Sequence, residues 1–331
     1  MNKKREKFSF ALFYQKFGVF TLLVIIFLVA MLLNRNFIKI NNLRNILKQM
    51  VLIAIIASGG CYVLICAQIN IAYDGLIACL GCTSCLIMLK TGNPAFALIG
   101  TIVIGGCIGF AYGSFVTIFR VPGFIVGLAI NSIASGTILI ITHGNKIVGM
   151  DESYEILGNG SIGPIPINVI VAAVVMIICH IILAKSTFGR QVYAVGGNRQ
   201  AAIASGIDAD AVIRKVYILD GITTAVAGYL FMSRLGTGLP SAGKGYAFDA
   251  ITGAVVGGAS IYGGKGTIVG CLVGATIVTI LDNILSLMNV NSYWQSVFSG
   301  SIILLAVLID IATKEAAAVA IKNRMAAKTA E

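Results

Sequence analysis

Charge is what this chain has least of: 11% of its 331 residues are Asp, Glu, Lys or Arg, while 58% are hydrophobic. A soluble protein of this size needs charge on one face of nearly every element, so the composition excludes that class. Histidine is almost missing. The two present, His143 and His180, belong to no nucleophile or metal constellation, which leaves an enzyme reading without support. A glycine-rich phosphate loop ending in Lys and then Ser or Thr is missing too. The nearest approach is Ala259 to Gly266, where Ala stands for the first glycine and Gly266 follows Lys265. No cofactor is expected in this chain, and ATP, if used, is used by a partner subunit.

No disulfide framework is implied either. All eight cysteines (Cys61, Cys66, Cys79, Cys82, Cys85, Cys107, Cys179 and Cys271) fall in apolar segments. Cys79, Cys82 and Cys85 recur every third residue, and they read as small apolar packing in a helix rather than as a metal motif. The first apolar stretch, Val19 to Leu33, ends without a small-residue cleavage site, so it reads as a retained span.

What the chain does have is a succession of long apolar segments, such as Val51 to Ala67 and Thr267 to Leu281. Roughly 20 apolar residues make a helix that crosses a bilayer. Ten spans are expected, at about 17–33, 46–67, 71–90, 95–119, 122–142, 164–184, 211–232, 247–262, 266–288 and 293–311. The fold class is therefore an all-α polytopic membrane protein. One transmembrane domain, 17–312, lies between a basic tail, 1–16, and a second tail, 313–331, with a long loop at 185–210.

The net charge of +11 does not point to nucleic acid, because the basic residues sit in loops and tails between apolar spans. That is the positive-inside pattern. It places both termini in the cytoplasm. Arg120, Lys185, Arg190, Arg199, Arg214 and Lys215 then lie inside, and the acidic loop of Asp151, Glu152 and Glu155 lies outside against a single Lys146. Arg35, Lys39 and Arg44 fall on the outer side and run against the rule, but the larger cytoplasmic bias outweighs them.

Glycine is the second signal. Gly105, Gly109 and Gly113 form a four-residue ladder on the fourth span, and Gly266, Gly270 and Gly274 form another on the ninth. Gly123–Gly127 and Gly253–Gly257 add single pairs. Glycine is costly inside a helix in water. In lipid, small residues four apart let two backbones touch. The two ladders hold equivalent places if spans 2–5 and 7–10 form related halves, a hint of an internal repeat. The eighth span is short and glycine-rich. It is either a full crossing or a segment that lines a pathway.

Within the 185–210 loop, Asn198 is a good N-cap, Gln200 to Ser205 fit two helical turns, and Gly206 is a good stop. A helix this short persists only if held. Its alanine-rich surface suits insertion into a partner's groove.

Here the sequence also resembles a known family. "TFGRQVYAVGGNRQAAIASGI" (Thr187 to Ile207) looks like the coupling segment of the permease subunits of bacterial monosaccharide ABC importers, the ribose and galactoside type. "GYAFDAITGAVVGGASIYGGKGTIVG" (Gly245 to Gly270) and "NSYWQSVFSGSIILLAVLID" (Asn291 to Asp310) resemble that family's second signature and last helix. The likeness runs from Asn36 onward. It implies a paired ten-helix channel, built from two identical copies or from this chain and a paralogue. It also implies a separate ATPase and an extracytoplasmic sugar-binding protein, with membrane lipid around the channel. The coupling residues it implies are Gly189, Gly196, Gly197, Asn198, Ala201, Ala202 and Gly206. The chain departs from the pattern in two places, one of them the short region between spans 3 and 4. The family commonly carries a Gly-Ile-Asp-Leu-Ser-like stretch where this chain reads Gln68-Ile69-Asn70-Ile71-Ala72, an amide in place of an acid.

Ionisable groups within spans are functional candidates. Asp249, Gln68, Asn70, Asn131 and Asn283 are candidates to offer hydroxyl-binding groups along a translocation path, or else to bond helix to helix. Asp220 and Asp282 lie within spans. Pairing of Asp220 with Arg214, Lys215 or Arg234 near its helix is the alternative, and no spacing decides it. In the competing reading, an ion-coupled secondary transporter or channel, Asp220 and Asp282 would be the ion sites.

Overall fold

The computed structural model describes residues 10–291 and, beyond them, Trp294, Val297, Phe298, Gly300, Ser301, Leu304, Leu305 and Leu308. The expected last span at 293–311 lies largely outside these residues, and the tail at 313–331 lies wholly outside them.

The chain is a bundle of helices. In order they are α1 (Phe10–Leu33), α2 (Ile40–Ile65), α3 (Tyr73–Thr91), α4 (Pro94–Thr117), α5 (Gly123–Thr142) and α6 (Glu152–Asn159). A two-stranded antiparallel hairpin follows, β1 (Ser161–Ile162) and β2 (Ile165–Pro166). Then come α7 (Ile167–Lys185), α8 (Thr187–Gly197), α9 (Arg199–Ala204), α10 (Ala209–Leu235), α11 (Tyr246–Val256) and α12 (Ile268–Leu287). Among the described residues seven helices are long and apolar enough to cross a membrane: α2, α3, α4, α5, α7, α10 and α12. The apolar part of α1, Gly18–Leu33, is a little shorter.

Local chemistry sets the helix ends. Asn93 accepts from the Ala95 N–H at 2.9 Å just before Pro94, a residue suited to the first helical position. Asp208 accepts from the Ala211 N–H at 2.9 Å, and Thr267 from the Gly270 N–H at 3.0 Å. Gly92 and Gly236 close α3 and α10 at φ 62°, a left-handed turn that glycine takes without steric cost.

Burial orders the layers. In α2 and α10, 78% of the apolar window is buried, so these two helices form the centre; the figures for α4, α5 and α7 are 22–28%, and these form a rim with Phe, Ile and Leu facing outward. Such a rim suits lipid, where the backbone is satisfied within each helix. Glycine sets a close seam between α4 and α10. A β-carbon on Gly105 would lie 2.5 Å from the Gly221 carbonyl oxygen, and one on Gly109 would strike the Tyr217 carbonyl. One on Gly113 would lie 2.8 Å from the Arg214 Cα.

The second ladder is shorter than the spacing suggests. Gly270 and Gly274 lie on α12 and meet Gly257 and Gly253 on the α11 side. Gly266 is not part of the helix, because Thr267 caps α12 from the residue after it. Of the two readings of the eighth span, the full crossing is not made, because the helix itself is short. The helix stops at Val256 after 11 residues, about 16 Å, which is half a bilayer. Left-handed turns at Gly258, Gly263 and Gly264 carry the chain on to α12.

The acidic 143–163 loop is also more ordered than its polarity suggests. Its helix α6 docks on the Leu235 end of α10. Ser233 donates to the Tyr154 carbonyl at 2.6 Å and accepts from the Gly158 N–H at 2.9 Å.

Candidate functional site

Two parts of the molecule join helices through polar or close backbone contacts. The first is the α8–α9 pair, a lever in shape, at the Ala209 end of α10. Ser186 caps α8 by accepting from the Gly189 N–H at 3.0 Å. Asn198 caps α9 by accepting from the Ala201 N–H at 3.0 Å, and Gly206 follows with φ 83°. The sequence expectation of a capped two-turn helix thus describes α9. It does not extend to α8, which lies in the stretch expected as loop. The missed signal is the apolar spacing of Phe188, Val192 and Val195 behind a Ser cap.

The lever is anchored on one face and open on the other. Gly189 and Gly196 are buried. A β-carbon on Gly189 would strike the Leu183 carbonyl, and one on Gly196 would strike the Ile65 carbonyl. The Ile65 carbonyl also accepts from the Gly264 N–H at 2.8 Å. Tyr193 donates to the Gly266 carbonyl at 2.7 Å, and burial pushes its phenol up, so it keeps its proton. The end of α2, the lever and the 257–267 loop therefore meet in one contact.

On the open side, Gly197 has nothing within 4 Å of an added β-carbon. Asn198, Ala201 and Gly206 are exposed, Ile203 is 47% exposed, and Ala202 faces inward. Asp210 ties α9 to the turn between α4 and α5, meeting Arg199 at 2.5 Å and Arg120 at 2.9 Å.

The second part lies at mid-height of α10, where two helices begin inside the bundle. α3 starts at Tyr73 after the non-helical 66–72 stretch, and α11 starts at Tyr246 after the non-helical 236–245 stretch. Irregular backbone at such depth has to be satisfied by protein. Asp74 does this for α11, accepting from the Gly245 N–H at 3.1 Å and the Ala247 N–H at 2.8 Å. A carboxylate also suits the positive end of a helix dipole. Asn70 and Asn131 do it for α3, accepting from the Ala72 N–H at 2.8 Å and the Gly75 N–H at 2.7 Å.

Asp220 joins this group. It stands 11 residues into α10, about 16 Å from the Ala209 end. It accepts from the Asn70 amide at 2.6 Å and the Tyr73 hydroxyl at 2.9 Å. The alternative pairing of Asp220 with Arg214, Lys215 or Arg234 is not present among the described residues. Helix geometry carries those cations to other heights: Arg214 donates to Thr117 at 3.2 Å, and Arg234 to the Lys48 carbonyl at 3.4 Å.

The remaining candidates are spread out. Asn283 on α12 exchanges two 2.9 Å hydrogen bonds with Asn42 on α2. Gln68, Asp249 and Asp282 are half-buried. Sequence reasoning missed Tyr73 and Asp74. The signal for Asp74 was an acid in the first turn of an apolar helix. Among the described residues no group of three His, Cys, Asp or Glu is placed to hold a metal ion.

A helical bundle with two helices that start in mid-bundle and a lever at one end defines a polytopic membrane protein of the transport type. The chain belongs to the family described as the branched-chain amino acid transport system permease component, whose model matches residues 42–307. It is 34% identical over 312 residues to the ribose import permease of Bacillus subtilis, covering 94% of this chain and 97% of that one. It is 32% identical over 309 residues to the D-allose transport system permease of Escherichia coli, covering 93% and 95%. It is 29% identical over 341 residues to the xylose transport system permease of Haemophilus influenzae, covering 84% and 91%. No solved structure matches. The chain is thus a multi-pass inner-membrane permease component and not an enzyme.

Proposed function

We propose that this chain is the membrane-spanning permease of an ATP-driven importer of a monosaccharide such as ribose, allose, xylose or arabinose. The observation that carries this reading is the run of sugar permeases, 29–36% identical over most of the chain. Two copies, or this chain and a paralogue, form the pore in the lipid. Both termini lie in the cytoplasm, an ATPase docks on the lever, and an extracytoplasmic binding protein delivers the sugar.

The open face of α9 around Gly197, Asn198, Ala201 and Gly206 enters a cleft of the ATPase. Closure of the ATPase dimer moves α9, and Gly189 and Gly196 pass the motion through α8 to the end of α2 and the 257–267 loop. Those two segments lead to the helices that start in mid-bundle, so the push reaches the pathway between inward and outward access. Gln68 and Asp249 are the path residues proposed here. Asn70, Asn131 and Asn283 bond helix to helix along its wall. A sugar's hydroxyls need only weak partners there, since a tight site would stop release.

The test is capture of the ATPase on the tagged permease. Gly197→Arg and Ala201→Arg, which place a long charged side chain on the open face, are expected to abolish capture while the permease still reaches the membrane. Undiminished capture in both would remove α9 from the interface.

A further inference from the structure

The Asp220 carboxylate is 1% exposed, and no ion pair reaches it among the described residues. An intramembrane carboxylate is expensive, so its surroundings have to be arranged for it. Here they are. Glycine occupies the two positions of α2 that face the group: a β-carbon on Gly59 would lie 2.7 Å from Asp220 Oδ1, and one on Gly60 would lie 2.8 Å from the Tyr73 hydroxyl. The donors are the Asn70 amide and the Tyr73 hydroxyl, one from the 66–72 stretch and one from the first turn of α3. Asn70 turns its own oxygen to the Ala72 N–H. On the α11 side, a cavity of about 10 Å³ touches Asn70, Tyr73, Ala250 and Ala254, so this joint borders the half-length helix.

We infer that Asp220 is the positioning residue that fixes the 66–72 stretch against α10, and that the joint requires one carboxylate shared between positions 70 and 220, on whichever side it stands. The inference rests on the permease reading for its transport readout. It also accounts for the amide at position 70, where the resembled pattern carries an acid: with an acid at 220, a second acid 2.6 Å away would leave two carboxylates facing each other.

The hydrogen-bond count makes the claim testable. In Asp220→Asn, the amide oxygen accepts from Asn70 and the new NH2 can only donate to the Tyr73 hydroxyl oxygen, so the hydroxyl proton loses its acceptor and both bonds lose the charge on the acceptor. In Asn70→Asp, two carboxylates oppose, and the joint closes only where one of them takes up a proton. In the double exchange every bond returns: the carboxylate at 70 accepts from the Ala72 N–H and from the amide at 220, whose oxygen accepts from Tyr73.

The experiment compares the wild type, both single variants and the double exchange in vesicles holding the complete transporter, at matched permease levels, and also as purified permease melted in detergent. Each single variant is expected to lower ATP-driven sugar uptake about tenfold or more, from the loss of charge-assisted bonds in Asp220→Asn and from like charge in Asn70→Asp. The double exchange is expected to recover uptake to within about threefold of wild type and to restore the melting temperature. A double exchange that fails to accumulate, or that is no better than either single, overturns the inference. So does wild-type uptake in Asp220→Asn. A wild type that takes up no sugar at all would count instead against the permease reading, and the melting series would still decide the joint.

Discussion

The α-carbon of Gly196 lies so close to the carbonyl oxygen of Ile65 that a single added methyl group would overlap it. The lever and the end of α2 therefore touch backbone to backbone.

Gly196→Ala is accordingly expected to force the lever off the bundle. Overpacking of this kind costs about 1–3 kcal/mol, and here the obstacle is a carbonyl rather than a flexible side chain. Gly197→Ala, one residue on, meets nothing and is expected to be neutral. Melting of the two purified variants in detergent checks the contrast. Equal melting temperatures would mean that the contact is not load-sharing.

The seam between α4 and α10 makes a second prediction. Gly109→Ala places a methyl group on the Tyr217 carbonyl, and it is expected to destabilise by about 1–3 kcal/mol. Gly136→Ala in α5, with open space around it, is expected to leave stability unchanged. Denaturation of both variants in detergent separates close packing from a general cost of removing glycine.

Asp74 makes a third. Its carboxylate is bonded to the start of α11 through the Gly245 and Ala247 N–H groups. Asp74→Ala leaves both donors without this acceptor, and loss of such a cap costs about 0.5–2 kcal/mol. Asp74→Asn keeps one acceptor oxygen and is expected to lose less. Melting of the two variants, with the alanine form below the asparagine form, is the expected order.

Much of this was legible in the residues. Apolar length gave the helices from α1 to α5, and α7, α10 and α12, because a bilayer demands long uninterrupted segments. Asn198 and Gly206 marked α9, since cap chemistry is local. Two features were not legible. The extent of α11 depends on where 236–245 turns back, and tertiary bonds from Asp74 set that point. The partners of Asp220 were not legible, because neighbours along the sequence offer a cation as one reading and no spacing decides it. The actual donors, Asn70 and Tyr73, stand about 150 residues away. The fate of Gly266 was misread for a related reason: the four-residue spacing was right, but Thr267 starts the helix one residue too late to include it.

The central claim is that this chain is a conduit with no engine of its own, driven through the α8–α9 lever. The most direct test is uptake of a panel of monosaccharides into vesicles that hold the permease, its ATPase and its binding protein. The account predicts uptake of at least one sugar that needs ATP hydrolysis and all three components, and that is lost in Ala201→Arg. Uptake that proceeds without ATP and follows an ion gradient would contradict it.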